Sequence, residues 1–371
     1  AASRAASRCP RNVILEARCP GGAGASRFQQ TERNALPIDT HFSWTEADQF
    51  VMDAHVNPML PDRIFDAHAH LMDTAHYAPA PVPGYLAGLP ARHGLAAYRG
   101  FMDRLHGPRA IGGLFFGLTF GGDRAANTEF VIAECAAAPP SFTALGQMLV
   151  WPEMDRDALR AELKRGRVVG LKPYHAMAVV EGPTWKARIE DFFPEWQAAL
   201  ADEFGLTVTM HMVRDRALAD PVNQASIRGY AERYPNMRWI LAHAARGFNV
   251  WHTIEGIESL RGLPNVWFDT SAVTEAGAFE AIADVMGHDR LMYGSDYPVS
   301  MMRGRCVGIG DSFHWLYADE MHLNEKHTSL QPILIGVESL RAVCLAARRC
   351  HWTDAQIEDV FANNALRVFQ R

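Results

Sequence analysis

The chain has 371 residues, 48% of them hydrophobic, with 42 acidic against 36 basic side chains and a formal net charge of −6. That is enough apolar material for one large core, and the mild, dispersed acidity argues against a nucleic acid or an anionic membrane surface as partner. No apolar run is long enough to span a bilayer. The six cysteines (Cys9, Cys19, Cys135, Cys306, Cys344, Cys350) lack zinc-ribbon or redox spacing and read as reduced thiols of a cytoplasmic protein.

Residues 1–40 are expected to stand apart. Arg4, Arg8, Arg11, Arg18 and Arg27 lie among Ala, Ser and Gly, with Glu16 the only acid before Glu32. A transit peptide has this composition, but a disordered leader or start-site artefact is the preferred reading. Residues 41–371 read as one domain. A short helix is expected from Ser43, as N-cap, to Ala54, with Glu46 completing the cap. The first strand follows, Arg63 to His68. The Pro- and Gly-containing excursion Asp73–Gly107, with a helix over Leu95–Leu105, is expected to cover an active site.

From Ala110 onward apolar runs alternate with helical segments. The expected strands are Ala110–Leu118, Phe142–Val150, Val168–Lys172, Leu206–His211, Met237–His243, Asn265–Thr270 and Arg290–Tyr293. The expected helices are Arg124–Ala138, Arg156–Arg165, Trp185–Phe204, Pro221–Tyr234, Val250–Leu260 and Glu275–Met286. Several strands are continuously apolar, as parallel strands buried on both faces are. Eight strands alternating with helices favour an α/β fold, a TIM-type (β/α)8 barrel, over a doubly wound sheet. A long loop, Asp296–Gln331, precedes helices Val337–Arg349 and Asp354–Phe361. Thr353 caps the last, and both are expected on the outside of the barrel.

His68 and His70 alternate along one strand, so their imidazoles share a face and can hold one metal ion. His211, His243 and Asp296 end later strand-like runs; Lys172, Tyr174 and His175 end the fourth. Reactive residues of barrel enzymes sit at such strand ends. Asp66, one pleat deeper, is expected to fix the strand end or a histidine's orientation. His76, His93, His106, His175, His252 and His314 are expected at the surface or in the cover. Arg214, Arg246, Arg303 and Arg305 follow the site residues. Arginine grips carboxylates bidentately, which suggests a carboxylate-bearing small molecule with Arg246 as its contact; a loop arginine in a surface ion pair is the plain alternative. Trp44, Trp151, Trp185, Trp251, Trp267 and Trp315 are candidates for an aromatic pocket or for packing.

Asp66-Ala67-His68-Ala69-His70, Thr209-Met210-His211, Leu241-Ala242-His243 and Tyr293-Gly294-Ser295-Asp296-Tyr297-Pro298 occur in that order, followed by the tail Val360-Phe361-Ala362-Asn363-Asn364-Ala365-Leu366-Arg367-Val368-Phe369. With these motifs the chain resembles the amidohydrolase superfamily, in the branch of aminocarboxymuconate-semialdehyde decarboxylase, related decarboxylases and lactone hydrolases. The resemblance implies that His68, His70 and His211 bind one divalent metal, zinc above others. It implies that Asp296 ligates it or takes a proton from the bound water, and that His243 polarises substrate or works in acid–base chemistry. Some members carbamylate a strand-four lysine to bridge two metals. In this branch that lysine does not ligate, so Lys172 and Tyr174 are expected to contact substrate or support the barrel core. Hydrolysis of a lactone, amide or similar carbonyl is the leading expectation, and non-oxidative decarboxylation the alternative. A non-catalytic binding barrel ranks below both because every expected ligand is present. A homo-oligomer is expected by resemblance alone.

Overall fold

The computed structural model describes residues 43–79, 81–82, 90–118, 122–318 and 331–370, all within one compact unit, Leu36–Arg371. The expected leader lies outside them. Eight parallel strands run in sequential order: β1 Ile64–His70, β2 Ala110–Phe116, β3 Thr143–Val150, β4 Gly170–Pro173, β5 Thr207–Met210, β6 Arg238–Leu241, β7 Val266–Asp269 and β8 Leu291–Met292. Closure is made by main-chain bonds from the end of β8 to β1: Ala67 N donates to Tyr293 O, Asp296 N to His68 O and His70 N to Tyr297 O. This is the expected TIM-type barrel. Among the described residues no helix is long and apolar enough to cross a membrane.

Two apolar layers hold the barrel. Phe65, Leu114, Phe116, Ile240 and Met292 fill its interior. Outside, Trp239 of β6 is fully buried against Phe193 and Tyr230. The surrounding helices are α2 Leu95–His106, α3 Arg124–Ala136, α4 Arg156–Lys164, α5 Glu195–Glu203, α6 Pro221–Arg233, α7 Val250–Gly256, α8 Ala276–Met286 and α9 Ile335–Arg349, after a short α1 at Glu46–Val51. Short helices α10 Asp354–Glu358 and α11 Asn364–Phe369 end the chain, and Thr353 caps α10 as expected.

Several expectations need correction. The first cap is Thr45, not Ser43; its side chain and Asp48 form the reciprocal box. The long helix Trp185–Phe204 breaks into 3-10 turns at Thr184–Lys186 and Ile189–Asp191 before α5. Pro194 is the reason: it disfavours helical Phe193 and supplies no N–H, so a helix can start after it but not run through it. The loop after Asp296 contains an antiparallel hairpin, β9 Gly304–Ile309 with β10 Ser312–Tyr317. Beyond the expected Asp354–Phe361 the chain forms a further helix, α11, which was not anticipated and meets the barrel interior. Ala365 and Val368 join the interior cluster, Phe369 packs on Phe65, and Arg238, at the start of β6, donates to Val368 O. It therefore plugs the N-terminal mouth of the barrel. His252 is buried outside the expected cover, contrary to expectation, whereas His93 and His106 fall within the Asp73–Gly107 excursion and are buried there, bonded to Tyr297 Oη and Tyr293 Oη at 2.8 and 2.9 Å.

Asp48 of α1 meets Arg303 at 2.8 Å with both side chains buried, and also accepts from Leu334 N at 2.8 Å. This ties the start of the domain to the segment leading into α9. Removing one partner leaves the other charge buried and unpaired. Asp48→Ala is therefore expected to destabilise the fold by about 3–5 kcal/mol in urea denaturation, with Asp48→Ala/Arg303→Met recovering part of the loss.

Candidate metal centre

The centre grows from an irregularity in β1. Its register against β2 shifts between Asp66 and Ala69, so Asp66 and His68 do not share a face as strict alternation would have it. Asp66 turns to Tyr98 and Ser295 and accepts from the Tyr98 hydroxyl, Ser295 Oγ, Ser295 N and His68 N. It fixes the strand end, and burial raises its carboxyl to about 6.

His68 faces inward. Its Nδ1 lies 2.8 Å from Asp269 Oδ2. The carboxylate can only accept, so Nδ1 carries the proton and Nε2 keeps its lone pair. Nε2 is buried without a hydrogen-bond partner among the described residues, 3.4 Å from Asp296 Oδ1. His70 Nε2 lies 3.1 Å from the same oxygen, while its Nδ1 faces Gly117 O at 3.3 Å. Donation by Nδ1 leaves both Nε2 lone pairs pointing at a carboxylate. Such an array is satisfied by a cation among them.

His243 opens a left-handed turn, with φ of 57°, 52°, 59° and 60° at His243, Ala244, Ala245 and Arg246. Its main-chain N donates to Asp269 Oδ1 at 2.9 Å, and its Nδ1 lies 3.0 Å from Ser271 O. Ser271 Oγ donates in turn to Asp269 at 2.5 Å. His211 Nδ1 donates to Met212 O at 2.9 Å, and its ring centre is 5.1 Å from that of His243. One ligand atom each from His68, His243 and Asp296 lies within 4.8 Å of the others.

The electrostatics suit ligation, which needs neutral imidazole and ionised carboxylate. Burial lowers His70 and His243 to about 4, and His211 well below its ordinary value. Burial alone would raise Asp296 and Asp269. The imidazole of His243, with His68 and His70, outweighs it and holds Asp296 well below the carboxylate range, and His68 holds Asp269 at about 2. For His68 burial acts downward, but Asp269 prevails and raises it. The field that favours a second proton on His68 also favours a metal cation there.

The eight residues expected to ligate metal, act in catalysis or contact substrate (His68, His70, Lys172, Tyr174, His211, His243, Arg246, Asp296) line one cavity of about 350 Å³ at the C-terminal ends of the strands. Lys172 Nζ is buried without a hydrogen bond, over the Phe116 and Tyr174 rings at 4.3 and 4.9 Å, and burial lowers it to about 7. The Arg246 guanidinium lies over Phe313 at 5.0 Å and has no ion pair among the described residues. The other arginines go elsewhere: Arg214 to Asp220, Arg303 to Asp48, and Arg305 to Thr274 O. His175 is half-buried beside His211. Of the tryptophans singled out, Trp315 alone lines the cavity.

Sequence reasoning missed Asp269, Ser271 and the partners of Trp315 in the aromatic wall, Phe248, Phe313 and Tyr317. A signal existed for Asp269 and for the hairpin that carries Phe313 and Tyr317. Asp269 ends an apolar run as Asp296 follows one. Gly310-Asp311 between two strand-like runs is a two-residue hairpin turn, with Gly310 at φ +57°.

A barrel with histidines and an aspartate gathered at its C-terminal mouth is the arrangement of a metal-dependent hydrolytic enzyme class. The amidohydrolase family model matches residues 65–371, and the chain belongs to this family. It is similar to L-fucono-1,5-lactonase of Burkholderia ambifaria, 32% identical over 117 aligned residues, covering 27% of this chain and only 39% of that protein. Two solved structures share the fold. A zinc-bound amidohydrolase from Burkholderia multivorans is 15% identical, with a TM-score of 0.54 over 83% of this chain and 99% of that one. A 5-carboxyvanillate decarboxylase from Sphingomonas paucimobilis is 16% identical, with a TM-score of 0.50 over 83% and 99%.

Asp269 bonds His68, the turn bearing His243, and Ser271. Asp269→Asn is expected to weaken divalent-metal affinity roughly 10- to 100-fold in chelator competition, with the far-ultraviolet circular dichroism unchanged.

Proposed function

We propose that this chain is a hydrolase with one divalent metal, zinc the expected ion, acting on a lactone, amide or similar carbonyl of a small carboxylate-bearing molecule. The reading is carried by the convergence of His68, His243 and Asp296 in a cavity also lined by His70 and His211. His68, His70, His211 and Asp296 would hold the metal, which when bound supplies an acidified water and a polarised carbonyl. Asp296, ionised and enclosed, takes the proton of the attacking water. His243, neutral and with Nδ1 turned to Ser271, keeps Nε2 as an acceptor, which supports acid–base work over carbonyl polarisation. Arg246 anchors the substrate carboxylate against the Phe313 face. Lys172 and Tyr174 touch substrate. The two aromatic rings against Lys172 Nζ disfavour a carbamylated bridge to a second metal.

Decarboxylation on the same scaffold is the second reading. It is favoured by the wall of Phe248, Phe313, Trp315 and Tyr317, which suits a flat ring. Offering lactones and carboxylated aromatics to the enzyme separates the two: ring-opened acid means hydrolysis, carbon dioxide means decarboxylation.

Elemental analysis is expected to find about one metal per chain, lost in His68→Ala/His70→Ala; a value near two would reinstate the bridged site. Arg246→Met is expected to raise KM for a carboxylated substrate roughly tenfold or more, from the lost charged hydrogen bonds, with kcat little changed; an unchanged KM rules out the anchor.

A further inference from the structure

Arg305 follows the site residues in sequence yet lines a different cavity, of about 440 Å³, between the base of the hairpin and α9. Arg341 and Arg348 of α9 line it too, with His55, Thr274 and Glu338, and it shares no lining residue with the metal centre. The two α9 arginines are seven residues apart, about two turns, and therefore lie on one face. Glu338 is the one carboxylate in the lining among the described residues, and Arg341 engages it at 2.6 Å. Arg305 gives one N–H to Thr274 O at 3.1 Å, while its Nε is buried without a partner. Arg348 meets the Met59 sulfur at 3.1 Å, a weak acceptor. Neither Arg305 nor Arg348 has a carboxylate partner among the described residues. Three guanidinium groups around one cavity with one acid leave an excess of positive charge and unused planar donors. Oxyanions of the phosphate type satisfy both, since guanidinium matches them bidentately.

We propose that this cavity is an oxyanion-binding site for a phosphate-type group, free or carried on a small molecule, separate from the metal centre. Its occupant would also brace the hairpin. Arg305 and Cys306 belong to β9, and the Thr274 hydroxyl donates to Cys306 O at 2.5 Å. The site does not depend on the proposed reaction.

The test is calorimetric titration of the full chain with sulfate, inorganic phosphate and glycerol 3-phosphate at low ionic strength. One saturable event per chain is expected, weakened roughly tenfold or more by Arg348→Glu and by Arg305→Met and unchanged in Arg246→Met. Tighter binding of glycerol 3-phosphate than of phosphate assigns a carried group, and equal binding assigns the bare anion. Arg348 is exposed, so its substitution tests the site even where Arg305→Met fails to fold. Absence of saturable binding, binding that survives Arg348→Glu, or binding lost in Arg246→Met overturns the site.

Discussion

Two buried carboxylates set the terms for the rest of the molecule. Asp269 and Asp296 are almost fully enclosed, and an unpaired charge in that position costs several kcal/mol. Asp269 is satisfied by His68 Nδ1, His243 N and the amide and hydroxyl of Ser271. Asp296 is surrounded by three imidazoles. These bonds select the tautomer of His68, fix the turn that carries His243, and leave lone pairs converging where a cation belongs. Asp296 N also donates to His68 O, so one residue both closes the barrel and completes the centre. Stability and site are therefore built from the same bonds at this seam.

The arrangement stores strain. Four consecutive non-glycine residues, His243 to Arg246, are left-handed, and so is Asp296. Each such alanine costs on the order of 1–2 kcal/mol. What the turn achieves is direction: it brings His243 and Arg246, three residues apart, into the same cavity, one beside the carboxylates and one on the aromatic wall. The bond from His243 N to Asp269 offsets part of the cost. Strain held in place by its surroundings and concentrated at a reactive constellation is where a fold departs from its stability optimum.

The parts of this molecule legible in the sequence are those with a local period or a local breaker. The apolar runs marked eight strands because both faces of each are buried. His68 lies within the irregularity in β1 and His70 beyond it, yet both still line the cavity. Asp66 takes the role expected of it at the strand end, but its face was not legible, since a register shift moves a side chain to the other face without any change in composition. Asp269 was hidden for a different reason: a strand-end acid reads equally as a turn cap until its partner, 201 residues away, is known. The helix Asn364–Phe369 was not anticipated beyond Phe361, because six residues are too short a stretch for a helical period to show. Pro194 and Gly310-Asp311 were local signals whose mechanism was available and outweighed by the length of the segments around them.

Barrel and hairpin divide the work. The strand ends supply charge and ligands, held by buried bonds that tolerate little change. The hairpin supplies shape, three aromatic side chains from β10 facing the cavity, and it is held at its tip by a separate set of contacts. Asn249 donates to Gly310 O and Ser312 O at 3.0 and 2.7 Å, and Asp311 meets Arg216 and His252. None of these anchors touches Asp269 or Asp296. The roof can therefore change its side chains or its seating while the electrostatics beneath stay fixed. On such a scaffold hydrolysis and decarboxylation need no different metal centre. Under the proposed function the two reactions would differ in which substrate atom faces the centre, which would put the choice with β9, β10 and the left-handed turn more than with the histidines.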